Sequence, residues 1–279
     1  WAPLFTLIVN NISIQVAYLI NAALMAVLLL PWSLFVFKSK PSDKGLEPFG
    51  PKSSKTENPA EATTVGMKVI SAMKTPAFWF AFVAVAFCSL GMGFNSNQPK
   101  FAEEFLVPGY MDAAAAALFG ASMISTAAVG NIIGKIIFGA MTDKFGLRVT
   151  LLVFLILFVS AFVLWLLFKN PTMMLVAAFL LGTHNALPSV GLPLLARTLF
   201  GGKNFSKIWG ITHMGSSLVG GFGTAIVGYT YQFTGSYNSA MLFGIGLVCV
   251  VGVFGMISTI WFGKLKFDDA EKAPATETA

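Results

Sequence analysis

Seven stretches of this chain, roughly residues 14–37, 75–96, 113–140, 149–168, 172–199, 208–231 and 239–262, are apolar over lengths that match a lipid bilayer. A hydrocarbon core of about 30 Å takes about 20 residues of α-helix. No water is available there, so backbone N–H and C=O groups must be bonded internally, which leaves only helices or closed barrels. Barrel strands read as short segments of alternating polarity. These runs are continuously apolar, and the expectation is an all-α integral membrane protein. Charged residues make up 11% of the chain, less than half the roughly 25% of soluble domains.

The net charge of +6 follows the loops and requires no nucleic-acid partner. Residues 38–74 hold seven lysines, whereas 97–112 holds Lys100 against Glu103, Glu104 and Asp112. Further along, Lys144 and Arg148 occupy one loop and Lys169 the next; then come Arg197, Lys203 and Lys207, an uncharged 232–238, and finally Lys264 and Lys266. Alternate loops are therefore basic, and the basic side is expected to be cytoplasmic. Cys88 and Cys249 lie inside apolar runs without CxxC spacing, which suits packing residues better than a disulfide or a metal site.

The organisation expected is as follows. Residues 1–37 carry the end of one transmembrane helix and one complete helix. Residues 38–74 are a Pro-, Ser- and Lys-rich central loop with a short interfacial helix near 64–73. A six-helix bundle follows at 75–263, then a short tail at 264–279. The chain opens on Trp1 without an initiator Met, and is expected to be the carboxyl-terminal portion of a longer protein. The 208–231 run holds six glycines, a density that suits a helix able to bend or slide.

Lys135 lies inside the apolar run from Leu118 to Met141, with no other charge there. An ammonium at such depth costs between about 3 and more than 10 kcal/mol. It needs a partner, a water-filled cavity or an anionic ligand. Snorkelling is the competing explanation. Asp143 is eight residues away, about 12 Å along a helix, and a lysine side chain reaches about half of that. Asn131 is one turn earlier on the same face and can orient either the ammonium or a carboxylate.

The segment Gly139-Ala-Met-Thr-Asp143-Lys144-Phe-Gly146-Leu-Arg148 resembles the second-half copy of the G-x-x-x-D-(R/K)-x-G-(R/K)-(R/K) loop of the major facilitator superfamily, with Leu147 where that pattern has a basic residue. Residues 41–50 and the segment Phe200 to Gly210 are similar to the central-loop start and the loop between helices ten and eleven of its oxalate/formate antiporter and monocarboxylate transporter branch. The resemblance covers essentially the whole chain, from late in helix five through helix twelve. It implies that Gly139, Asp143, Lys144, Gly146 and Arg148 form a conformational motif, the acidic residue locking neighbouring helix ends. It also places Lys135 in helix eight at a substrate-binding position.

Relatives that carry dicarboxylates have a second basic residue in helix eleven; here the stretch reads Thr212-His213-Met-Gly-Ser216-Ser217. His213, Ser216 and Ser217 are candidate substrate contacts, and a histidine can also bind a proton. Asn185, with His184 and Ser189 beside Pro188 and Pro193, is a candidate cavity-lining group at a hinge. The function implied is secondary transport of small monocarboxylates by alternating access, as antiport or proton symport, in the plasma membrane, with the central loop and carboxyl terminus cytoplasmic. The partners are the anion, possible protons, the bilayer and the remaining helices of the same protein, with no cofactor, metal or enzymatic activity. A seven-helix receptor and a non-transporting scaffold are the alternatives; a retinal-type lysine would want a buried carboxylate counter-ion, and no Asp or Glu lies in any complete apolar span.

Overall fold

The computed structural model describes residues 2–32, 66–107 and 109–265. The central-loop motif at 41–50, most of the linker and the end of the tail lie outside the described residues. Trp1–Asn58 and Pro59–Ala279 are separate compact units.

In the first unit, α1 (Ala2–Asn11) is followed by α2 (Ile14–Pro31). Ser13 ends one helix and starts the next, its hydroxyl accepting from the Val16 N–H at 3.3 Å, which satisfies one of the unpaired amides at a helix start. Among the described side chains of this unit only Ala17 is buried.

The second unit begins with α3 (Val69–Met73) and α4 (Pro76–Cys88), the latter capped by Thr75 with Pro76 in the first turn. A 3-10 turn at Ser89–Gly91 leads into α5 (Met92–Ser96) and α6 (Gln98–Leu106). α7 (Ala113–Phe145) starts on the Asp112 carboxylate, which accepts from the Ala115 N–H at 2.7 Å. It stops at Gly146, whose φ of 80° is open to glycine at little steric cost. α8 (Leu147–Leu167) follows directly, then α9 (Pro171–His184), capped by Asn170. A π turn at Leu187–Gly191 precedes α10 (Leu192–Phe200). α11 (Phe205–Gly220), α12 (Gly223–Thr234) and α13 (Asn238–Ser258) complete the order, with a 3-10 turn at Thr259–Trp261.

Six continuous helical stretches among the described residues are long and apolar enough to cross a membrane. The seventh expected span, 208–231, is not one helix: it divides into α11 and α12 at Gly221 and Phe222. Nor is 97–112 simply a loop, since α6 packs there with Phe101, Ala102 and Leu106 buried.

Glycine makes the crossings possible. A Cβ on Gly130 would run into the Phe179 carbonyl, and one on Gly182 into the Ala127 carbonyl, so α7 and α9 meet backbone to backbone. Gly93 and Gly223 bring α5 and α12 equally close, Gly215 receives the Phe82 ring, and Gly220 lies against Ser89. The glycines of the 208–231 run thus divide: Gly215, Gly220 and Gly223 serve packing, while Gly210 and Gly228 face open space.

Two apolar clusters stack along the bundle. One holds Phe78, Phe138, Phe154, Leu187, Ile208 and Val251; the other holds Leu90, Phe101, Phe158, Leu181, Val227 and Val248. The irregular turns at 89–91 and 221–222 fall in the intervals of sequence where α4/α5 and α11/α12 pass from one cluster to the other, whereas the π turn at 187–191 lies inside the first cluster, just past the passage between Leu181 and Ala186.

At the end of the bundle bearing α6, that helix is tied to the α8–α9 loop and to the start of α13. The Glu104 carboxylate accepts from the Ser236 hydroxyl at 2.6 Å and the Tyr237 N–H at 2.8 Å. Lys169 donates to Asn238 at 2.7 Å and lies 3.4 Å from the centre of the Phe105 ring. Burial pulls the Lys169 ammonium down to about 8, against the opposing pull of Glu104.

Gly182→Ala should therefore destabilise the bundle by about 1–3 kcal/mol through overpacking, while Gly228→Ala should be neutral or slightly stabilising through helix propensity. Thermal unfolding of the two purified variants distinguishes these outcomes. For Lys169, the unfolded chain binds more protons than the folded one between about pH 8 and its ordinary value near 10.5, so stability should rise with pH across that window. Lys100 and Tyr237 are both shifted upward, by Glu103 and by burial respectively, and their contributions are lost only above about pH 10. The melting temperature of the wild type should accordingly climb relative to Lys169→Met between pH 7.5 and 9.5; parallel profiles would refute this.

Candidate functional site

The buried stripe of α7 runs through Ala116, Gly120, Met123, Ala127, Gly130, Gly134 and Phe138. Lys135 lies outside it and is exposed, flanked by exposed Ile132, Ile133, Ile136 and Ile137. Its ammonium has no hydrogen bond or ion pair with any described residue. Asn131, one turn earlier, is half-buried, and its Oδ1 is enclosed without a hydrogen-bond partner among the described residues. Buried polar atoms are rarely left so. α7 is 33 residues long, about 50 Å at 1.5 Å per residue, so it overruns a core of about 30 Å. Lys135 stands ten residues before its end at Phe145.

Gly134 packs on Thr183 of α9, two residues before Asn185. Asn185 is half-buried, caps α9, and its carbonyl accepts from the exposed Ser189 hydroxyl at 2.6 Å. His184 belongs to the interior. It is fully buried, stacked on Phe158 at 3.5 Å between ring centres, with Nε2 3.3 Å from Cys88 Sγ. Cys88 therefore has a polar contact as well as a packing role, whereas Cys249 is exposed.

The second group of candidates sits on α11, which packs chiefly on α4 and α10, while α7 packs chiefly on α6, α8 and α9. His213 is exposed and stacks on Trp209 at 5.4 Å, and Trp209 stacks on Phe205 at 6.4 Å. This ladder of i, i+4 neighbours could have been read from the sequence, but Trp209 was not among the expected residues. Ser217 is exposed and turned back to the His213 carbonyl. Ser216 is buried against α4, its carbonyl accepting from Ser89 at 3.0 Å. Asn131 and Lys135 thus share α7 and Asn185 ends the α9 helix that packs on it, while on α11 His213 and Ser217 are exposed and Ser216 is buried.

The turn after α7 holds the remaining candidates. Gly139 meets nothing within 4 Å of where a Cβ would sit. Lys144 lies over the neighbouring Phe145 ring at 5.2 Å. Asp143 is exposed and makes no hydrogen bond or ion pair with a described residue. Arg148 ties the helix ends: it donates to the Thr259 carbonyl at 2.5 Å and covers the Phe262 ring at 5.1 Å. The loop between α10 and α11 is likewise fastened, the Asn204 amide donating to the Met67 carbonyl and the Met67 N–H to the Phe200 carbonyl, both at 2.9 Å.

A family model described as Major Facilitator Superfamily matches residues 115–278. No curated protein matches the sequence. Among solved structures, a bacterial homolog to the human lysosomal transporter Spinster, in an inward-facing and unoccupied conformation, is similar at 18% identity and a TM-score of 0.46, over 91% of this chain and 59% of that one. The chain thus spans less than two thirds of that relative's length.

Proposed function

Because the chain belongs to the Major Facilitator Superfamily, we propose that it forms part of a secondary carrier that moves small organic anions, monocarboxylates in particular, by alternating access. Its second unit supplies the bundle that follows the central loop, and a partner bundle of the same protein closes the pathway. Exchange for another anion and proton symport are the two coupling modes in keeping with this reading. The basic loops, including the central loop and the carboxyl terminus, face the cytoplasm of a plasma membrane.

The observation that carries the proposal is the exposed Lys135 ammonium, unpaired among the described residues, one turn after Asn131, whose Oδ1 is likewise without a partner among them. Facing lipid, a charge at that depth would be strongly disfavoured; facing a water-filled pathway, it meets a carboxylate at lower cost. Asn185, at the end of α9, adds a neutral polar group to the pathway. His213 and Ser217 line the pathway from α11, with the Trp209 ring holding His213. The Gly139–Arg148 turn, including Asp143, Lys144 and Gly146, controls the position of the ends of α7 and α8.

Lys135→Ala and Lys135→Gln in the full-length protein should abolish uptake of labelled lactate or formate into proteoliposomes. Insertion and expression should be retained, since removal of an unpaired membrane charge lowers its desolvation penalty. Normal uptake by either variant would exclude the assigned role. One cation neutralises one carboxylate, and hydrogen bonds from neutral groups contribute only about 1 kcal/mol each, short of the several kcal/mol needed to desolvate a second carboxylate. Lactate or formate should therefore displace bound substrate better than oxalate at pH 7.5, and the reverse order would show that a second cation reaches the site.

A further inference from the structure

Between α8 and α13 lies an open groove of about 630 Å³, lined on one wall by Leu152, Ile156 and Val163 and on the other by Cys249, Gly252 and Val253. Its floor is open because Gly252 has no side chain: a Cβ there would sit 3.4 Å from Leu155. Both walls belong to helices of membrane-spanning length, so whatever fills the groove is apolar. Along α8 the lining runs from Leu152 to Leu164, about 18 Å at 1.5 Å per residue. That is close to the depth of one leaflet, half of a core of about 30 Å.

One end of the groove is basic. Arg148 precedes Leu152 by one turn on the same face of α8. Its guanidinium donates to the Thr259 carbonyl, one turn beyond Met256 at the groove's edge. A guanidinium has five N–H donors, and among the described residues this is the single hydrogen bond it makes. Lys264, two residues past the Phe262 ring that Arg148 covers, is exposed.

We propose that the α8–α13 groove is a binding site for an anionic phospholipid, with one acyl chain lying between the helices and the phosphate at Arg148 and Lys264. Groove length selects a single chain of one leaflet. The planar guanidinium suits a phosphate oxygen pair, and a basic pocket between helices at the membrane surface attracts anionic headgroups. A zwitterionic lipid would fill the groove equally well but gain less from the two cations. A helix of a second copy would cover the walls and leave the cations unmatched.

The test uses the full-length protein reconstituted in equal phosphatidylglycerol and phosphatidylcholine, released into the gas phase, and examined for retained lipid. Phosphatidylglycerol should be retained in preference, with that preference falling about fivefold for Arg148→Gln and again for Lys264→Gln. Gly252→Phe, which fills the floor without touching a charge, should also abolish retention. So should alkylation of the exposed Cys249 by a bulky maleimide, the buried Cys88 being protected. Equal retention of the two lipids overturns the proposal. So does a preference that survives both Gly252→Phe and Cys249 alkylation, or a dimer in which Cys249 is shielded from the reagent.

Discussion

The bundle depends on backbones approaching each other where helices cross. In lipid, burial of apolar side chains gives no drive for helix association, because lipid tails are as apolar as leucine. Contact must come from van der Waals packing, which requires small residues at the crossing. Gly130 and Gly182 supply it between α7 and α9, and Gly93 and Gly223 between α5 and α12. The first of these contacts also determines where Lys135 points. With Gly130 and Gly134 pressed against α9, the neighbouring lysine is turned outward, away from the packed core.

The two ends of the bundle are fastened by different chemistry. Near Gly146, a single arginine bonds a carbonyl at the end of α13 and covers an aromatic ring. At the α6 end, a carboxylate and an ammonium each reach to the loop between α12 and α13 without forming a direct ion pair among the described residues. Such ties between loops act at the helix termini, where backbone groups are otherwise unsatisfied. They fix which helix ends lie together while leaving the exposed faces between the ends unchanged.

What could be read from the sequence was whatever a local rule determines. Membrane-length runs, the turn at Gly146, the Asn170-Pro171 start of α9 and the alternation of basic loops all follow from a few neighbouring residues. Lys135 stood out because charge in an apolar run is conspicuous without a partner. The division at Gly221 was not legible, since six glycines in one run indicate adaptability without saying which of them face a neighbour. α6 was hidden by its charges: Lys100, Glu103 and Glu104 made 97–112 look like a loop, although Phe101, Ala102 and Leu106 recur at helical spacing. His184 was misplaced for a related reason. Its burial depends on Phe158 and Cys88, residues remote in sequence that only the folded bundle brings alongside.

The irregular turns have a mechanical consequence. α7, α8 and α13 are unbroken, whereas the paths through α4/α5, α9/α10 and α11/α12 are each interrupted. A regular helix resists flexure through its ladder of i→i−4 bonds; a π or 3-10 turn replaces part of that ladder with longer or shorter bonds. Bending stiffness is therefore unevenly distributed: three helices are struts and three are jointed. Load applied at one end of the bundle is taken up at the joints. The Gly93–Gly223 contact couples α5 to α12 across two of these joints, while Lys135 is carried on a strut.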